Sequence, residues 1–206
     1  MVTYDATSTV RAARALYFET NGFGADGGYG DRWVPVKVGP AEFLIRNTAS
    51  RVRSVRLHDL HHIATGYPTT LEGEALIGAW ELGSNCRDHL AAWFLNASAF
   101  AFGVVLAPRQ LWRAFVRGRR SRNLYRGEWD EALLDRTVGD LRRELGVDGP
   151  HLATAGDALL FCIWLAVGVD LLAWTVALAP VLLVATVVYK LGLRGREARS
   201  RGRVDS

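Results

Sequence analysis

Cysteine is scarce in this sequence. Cys86 and Cys162 are the two in 206 residues, far apart and in no metal-ligand spacing. That excludes a disulfide framework and points to a reducing compartment. An excess of one charge is also missing over most of the chain. Residues 1–157 hold 19 Lys/Arg against 18 Asp/Glu, a net of +1, while residues 158–206 hold 6 against 3, a net of +3. The basic bias belongs to the tail, which excludes a nucleic-acid-binding surface spread over the domain. The first residues lack the apolar core of a signal peptide. Gly22-x-Gly24-x-x-Gly27 matches a dinucleotide fingerprint in form. A helix precedes it where a strand is needed, so the run reads as a loop.

Apolar residues make up half of the sequence, and seven of its residues are tryptophans. Residues 7–19 read as a short helix with Val10, Ala13, Leu16 and Phe18 inward. Trp33 to Ile45, with a turn at Gly39-Pro40, reads as a β-hairpin. A helix from about Thr48 to Thr65 follows, and a second from about Thr70 to Asn85. Leu90 to Ala107 is an apolar helix, read as buried or membrane-facing, with Asn96 and Ser98 in its middle. Arg109 to Arg126 carries seven arginines among aromatic and aliphatic residues. It is either a solvated helix and loop or a surface for anionic headgroups or a diphosphate. Residues 129–145 read as one amphipathic helix capped by Gly146.

Three of the five histidines lie between Arg56 and Glu81. On a helix, His58 and His62 are four apart and Asp59 and His62 three apart, which puts these side chains on one face. Tyr67-Pro68-Thr69-Thr70 breaks that helix. Thr69 and Glu72 fit a capping box for the next one. Glu74, in its first turn, could then fold back over the first helix. Two imidazoles and two carboxylates suit a divalent ion of mixed N/O coordination. By itself His-x-x-x-His on an amphipathic helix is more often a polar face; Asp59 and the glutamate after the turn favour the metal reading. His61 points to another face and reads as structural.

His58-Asp59-Leu60-His61-His62, eleven residues and Glu74 resemble the signature of the coenzyme Q biosynthesis protein 4 family. Gly66-Tyr67-Pro68-Thr69-Thr70, Trp80-Glu81, Asn123-Leu124-Tyr125, Trp129 and Leu141 to Gly146 are similar to the same family's core. The resemblance covers roughly Arg51 to Val147 and suggests a bacterial member with an added C-terminal membrane segment. It implies a metal-binding protein acting at the ring-modification stage of quinone synthesis, associated with C1 decarboxylation and hydroxylation. The implied ion is divalent, zinc foremost, held by His58, Asp59, His62 and Glu74. Glu81 would orient a ligand or accept a proton. The alternative is a non-catalytic organiser that presents a lipid intermediate to other enzymes. The partners implied are a prenylated quinone precursor or other isoprenoid lipid, the membrane, other quinone-biosynthesis enzymes and a second copy of the chain. His58-x-x-His61-His62 also fits one box of membrane di-iron hydroxylases, but five histidines are too few for three such boxes.

Ala158 to Tyr189 is almost wholly apolar, interrupted by Asp170 and Pro180. Two arrangements fit: one tilted span near residues 171–189, or a helical hairpin bent near Asp170. The basic tail from Lys190 to Arg203 places the C-terminus in the cytoplasm, with the protein held at the cell membrane. The expected class is therefore mainly α, with a short N-terminal β-hairpin and a C-terminal transmembrane helix or helical hairpin. The expected divisions are residues 1–50, a metal-binding helical domain over 51–157, a membrane segment over 158–190 and a tail over 191–206. A tunnel for a prenyl chain is expected beside Ala99 and Gly103.

Overall fold

The computed structural model describes residues 2–38 and 41–204, with side chains described for residues 2–35 and 44–189. The expected Gly39-Pro40 turn and the side chains of the basic tail lie outside the described residues. The chain is mainly α, with an N-terminal hairpin and a long apolar C-terminal helix.

Helix α1 (Val10–Asn21) starts on Thr9, whose side chain accepts from the Ala12 N–H, and ends on Gly22. Strands β1 (Trp33–Val38) and β2 (Ala41–Arg46) pair antiparallel, with Trp33 opposite Arg46. Helix α2 (Ala49–Thr65) starts on Thr48, which accepts from the Arg51 N–H. Helix α3 (Leu71–Ser84) starts on Thr70, which accepts from the Gly73 N–H. The cap is thus one residue later than the Thr69 expected from sequence. The Thr69 hydroxyl instead donates to Asn21 Oδ1 and ties the turn to the end of α1. Each cap satisfies a backbone N–H that the helix itself leaves unpaired.

Helix α4 (Leu90–Leu106) runs to the Pro108 that opens α5 (Pro108–Arg120). The single helix expected over residues 129–145 is two pieces. A 3-10 turn, Glu131–Asp135, is followed by α6 (Val138–Leu145). Thr137 explains the break, because its side chain accepts from the Asp140 N–H and caps a new helix there. The C-terminal run is one continuous helix, α7 (Ala155–Val204), with Pro180 inside it. This corrects the hairpin alternative: Asp170 does not bend the chain.

The core forms around α3. Every residue from Ala75 to Ser84 is buried, which suits a helix apolar on nearly every side. Glycines allow α3 and α5 to touch backbone to backbone. A Cβ on Gly118 would lie 2.1 Å from the Trp80 carbonyl oxygen, and one on Gly83 would lie 2.4 Å from that of Phe115. The first turns of α7 close the other side: Phe161 packs on Phe100, Trp112 and Phe115, and Trp164 stacks on Trp93. Asp157 fixes its start, paired with Arg119 and Arg120 and bonded to the Thr154 N–H and hydroxyl.

Gly118→Ala should therefore force α3 and α5 apart, costing about 1–3 kcal/mol or more. Urea unfolding should show a lower midpoint at an unchanged slope, whereas Gly127→Ala, which meets nothing closer than 4.0 Å, should not.

Candidate metal centre

The i, i+4 spacing on α2 places the His58 and His62 imidazoles together, with Nε2 atoms 3.1 Å apart. Glu74, on the first turn of α3, reaches both. Its Oε2 is 3.4 Å from His58 Nε2 and its Oε1 is 3.3 Å from His62 Nε2. These three residues form the cluster able to hold a cation.

The tautomers follow from the other ring nitrogens. His62 Nδ1 lies 2.8 Å from the Tyr67 carbonyl, which only accepts, so Nδ1 carries the proton. His58 Nδ1 lies 2.9 Å from Glu81 Oε1 and donates to it. In its neutral form each ring would present an Nε2 lone pair, so that both lone pairs and a carboxylate face one point. Only a cation or a proton satisfies that arrangement. Three ligands about 2.0–2.1 Å from a tetrahedral ion lie about 3.3 Å from one another, the size of the triangle seen. The residues fit a divalent ion, with one coordination position left for another ligand.

Beneath the triangle lies Glu81, completely buried. It accepts from His58 Nδ1, His61 Nδ1 (2.6 Å), the Asn96 amide and the Tyr125 hydroxyl (2.9 Å). His61 must donate through Nδ1, because its Nε2 accepts from the Leu124 backbone N–H. Burial alone would raise the Glu81 pKa, but His58 and His61 outweigh it and hold the carboxyl well below its usual range. Burial alone would lower the His58 pKa, and Glu81 with Glu74 reverses that, raising it well above the ordinary value. Burial keeps His61 neutral by lowering its pKa.

The chain is similar to the fungal ubiquinone biosynthesis protein coq4. The mitochondrial coq4 of Aspergillus fumigatus is 36% identical over 101 residues, covering 45% of this chain and 33% of that protein. That of Talaromyces marneffei is 35% identical over 101 residues, again 45% of this chain and 33% of the relative. That of Neurospora crassa is 33% identical over 100 residues, covering 45% of this chain and 27% of the relative. The chain thus spans about a third or less of the length of these relatives. No family model and no solved structure matches it.

Of the expected ligands, the structure brings His58, His62 and Glu74 together. Asp59 is adjacent but turned away. Its carboxylate accepts from the Tyr17 hydroxyl (3.3 Å) and the Tyr29 hydroxyl (2.5 Å). Burial raises its pKa against the opposing pull of His58 and Tyr29. Burial and the Asp59 charge push both tyrosine hydroxyls up, which keeps them protonated as donors. The Gly-rich loop delivers Tyr29 and Phe23 to the site. His89 stands apart from the cluster, against the Tyr125 ring.

Two members of the triangle, His58 and Glu74, line a cavity of about 380 Å³, together with residues of α1, the Gly-rich loop, β1, α2 and α4. Phe23, Val34, Val55, Leu95 and Ala99 give it apolar walls. Gly103, expected beside Ala99 in a tunnel, faces the core instead. A Cβ there would lie 2.5 Å from Leu111 and 2.8 Å from Ala75. A larger hollow, about 560 Å³, lies between Tyr67, Leu76, Trp112 and His151 and contains none of the candidate ligands. Three of the seven arginines from Arg109 to Arg126 are structural. Arg117 donates to the Val147 and Thr65 carbonyls, and Arg119 and Arg120 hold Asp157.

Sequence reasoning missed Tyr17, Tyr29 and Tyr125. Tyr125 carried a signal, standing in a run similar to the family core. Asn96 also carried one, as an amide inside an apolar helix. It is buried and donates to Glu81.

Glu81→Gln would put an amide N–H2 among four donors and should destabilise the fold by about 2–4 kcal/mol. Glu81 is more acidic folded than unfolded, so its contribution is present above its ordinary pKa of 4.5 and is lost as pH falls. The stability of metal-free protein should therefore drop on acidification below about pH 4.5. Chemical denaturation across pH should show a shallower acid limb for Glu81→Gln.

Proposed function

We propose that this chain is a metal-binding, membrane-associated protein of ubiquinone or related prenylquinone biosynthesis. Its stage is modification of the ring, where C1 is decarboxylated and hydroxylated, on a prenylated precursor. The observation that carries this reading is the His58–His62–Glu74 triangle, two members of which line a cavity with apolar walls. The similarity to fungal coq4 proteins supplies the pathway.

His58 Nε2, His62 Nε2 and Glu74 would hold the ion, zinc foremost. Ferrous iron also takes two histidines and a carboxylate, and elemental analysis separates the two. When bound, a divalent ion polarises a coordinated ring oxygen as a Lewis acid. Glu81 is a positioning residue: its bond to His58 Nδ1 fixes the ring and strengthens Nε2 as a donor. Asp59 would join the ion only by leaving Tyr17 and Tyr29; in the arrangement seen, it accepts from both hydroxyls, and the Tyr17 ring lines the cavity. The apolar walls exclude water and suit the ring and the start of an isoprenoid tail.

The organiser reading draws on a separate observation. Glu81 has four donors and Asp59 two, so neither is free to act as a base in this arrangement. Conservative changes of the triangle separate the readings: an organiser keeps lipid and partner binding, whereas an enzyme loses turnover.

Membrane association rests on exposure. Residues 155–189 of α7 are long and apolar enough to cross a membrane, and almost none of them is buried. Val181 is 64% exposed, and Val105 on α4 is 83% exposed. Apolar surface of that extent is stable only when covered. The basic tail favours a cytoplasmic C-terminus.

Purified protein should contain about one equivalent of metal by elemental analysis, following the His58–His62–Glu74 triangle. A His58→Ala, His62→Ala double variant should contain almost none, and full retention would refute the site. Full-length protein should resist carbonate extraction from membranes. A chain ending at Val169 keeps the Phe161 and Trp164 contacts and should be released; extraction of the full-length protein would refute membrane integration.

A further inference from the structure

The hollow of about 560 Å³ shares no lining residue with the metal cavity. It lies between the Tyr67-Pro68 turn, the start of α3, one face of α5 and the segment before α7. Gln110, Arg113 and Arg117 are spaced i, i+3 and i+7 along α5, which puts all three on that face. Arg117 is only 8% exposed. It donates to the Val147 and Thr65 carbonyls, and its guanidinium lies 5.3 Å from the centre of the Tyr67 ring. Those contacts fix the guanidinium without neutralising it: no carboxylate pairs with Arg117 among the described residues. A buried cation without an anion is a costly arrangement that a negative ligand relieves.

The neighbouring groups add to this charge. Arg113, one turn before Arg117, is exposed and also has no carboxylate partner among the described residues. Arg119 and Arg120, next along α5, are by contrast paired with Asp157. Thr70 and Gly73 bring the start of α3 to the hollow, with the partial positive charge of a helix N-terminus. Glu72, in the same turn, is the carboxylate of the lining, and the two arginines outweigh it. Pro68, Leu76, Trp112 and Val116 make the remaining walls apolar. Guanidinium forks match phosphate oxygens, and the walls beside them suit a hydrocarbon chain. Position decides where the phosphate comes from. Ala153 lines the hollow, and α7 begins two residues later at Ala155. Leu71 and Leu152, each flanked in sequence by lining residues, are 64% and 79% exposed. Open apolar side chains around a basic hollow, at the foot of a membrane helix, mark the depth of lipid headgroups.

We infer that this hollow binds the phosphate of an anionic membrane phospholipid, held by Arg113 and Arg117, with the start of an acyl chain against Leu76 and Trp112. This rests on the membrane-association reading above and adds a lipid class and a site separate from the metal. A lipid held there ties α3 and α5 to the start of α7 at the bilayer surface.

The test uses full-length protein in nanodiscs made of equal parts phosphatidylglycerol and phosphatidylcholine, released in a native mass spectrometer. Native protein should retain phosphatidylglycerol over phosphatidylcholine roughly 10-fold or more, the scale of one charge-assisted hydrogen bond. Arg113→Gln should retain the two lipids about equally, with metal content and melting temperature unchanged. Arg113→Lys, which keeps the charge without the fork, should fall between. Added inorganic phosphate should not displace the lipid. Equal retention by native protein would overturn the assignment, as would no retention of either lipid or a preference that survives Arg113→Gln. Displacement by inorganic phosphate would overturn it too, by showing a site for the free anion. The two readings fail separately. Protein that carbonate releases, but that still sediments with phosphatidylglycerol vesicles through Arg113, refutes membrane integration and leaves the lipid site standing. Protein that resists carbonate and shows no lipid preference does the reverse.

Discussion

Glu81 has no contact with water and still carries a charge. A carboxylate can remain ionised in such a place only when donors replace its hydration. Four donors do so, and they come from distant parts of the chain: two histidines of α2, Asn96 of α4 and Tyr125 beyond α5. The rest of the centre depends on this arrangement. His61, held by the Leu124 backbone, is neutral and fixed. His58 turns its Nδ1 to Glu81, so its Nε2 faces Glu74 and His62. Removing the charge would leave the donors unpaired and free the His58 ring to turn.

The packing of α3 brings Glu81 to that position. The helix is enclosed by α2, α4 and α5, and its apolar sequence suits that enclosure. The contact with α5 is as close as backbones allow, through Gly83 and Gly118. Trp80, whose carbonyl meets Gly118, and Ser84, next to Gly83, brace His61 and Asn123. A polar centre in an apolar bundle would be costly if any member were left unpaired. Here the paired members form a continuous chain from the Leu124 N–H through His61 and Glu81 to His58. Beside that chain, the buried Trp80 Nε1 and His89 Nε2 have no hydrogen-bond partner.

The same bundle leaves much apolar surface uncovered on α4 and α7. The early turns of α7 belong to the core through Phe161 and Trp164, while the later ones meet the hairpin through Trp33 and Tyr189. The apolar face between those contacts is open. The metal cavity borders α4, so the exposed face and the site share a wall.

Local chemistry made several elements legible in the sequence. Thr48, Gly66 and Pro68 bound α2, and caps and prolines act within a few residues. The His58–His62 pair was legible because i, i+4 spacing alone puts two side chains on one helix face. Glu74 followed from the short turn after it. The 129–145 helix was misread because Thr137 suits both a helix interior and a cap, and sequence periodicity does not choose between them. Asp59 shares the face of His62, yet its partners Tyr17 and Tyr29 lie 42 and 30 residues away. Only tertiary packing could assign it to them. The same holds for the Glu81 hub and for Gly103, whose space is filled by Leu111 and Ala75. The sequence by itself determined the helices, the paired histidines and the apolar tail, since each depends on neighbours a few bonds apart. The tertiary structure decided which carboxylate faces the histidines, which is buried beneath them and which is held by tyrosines, because those outcomes depend on donors that meet only when separate helices pack.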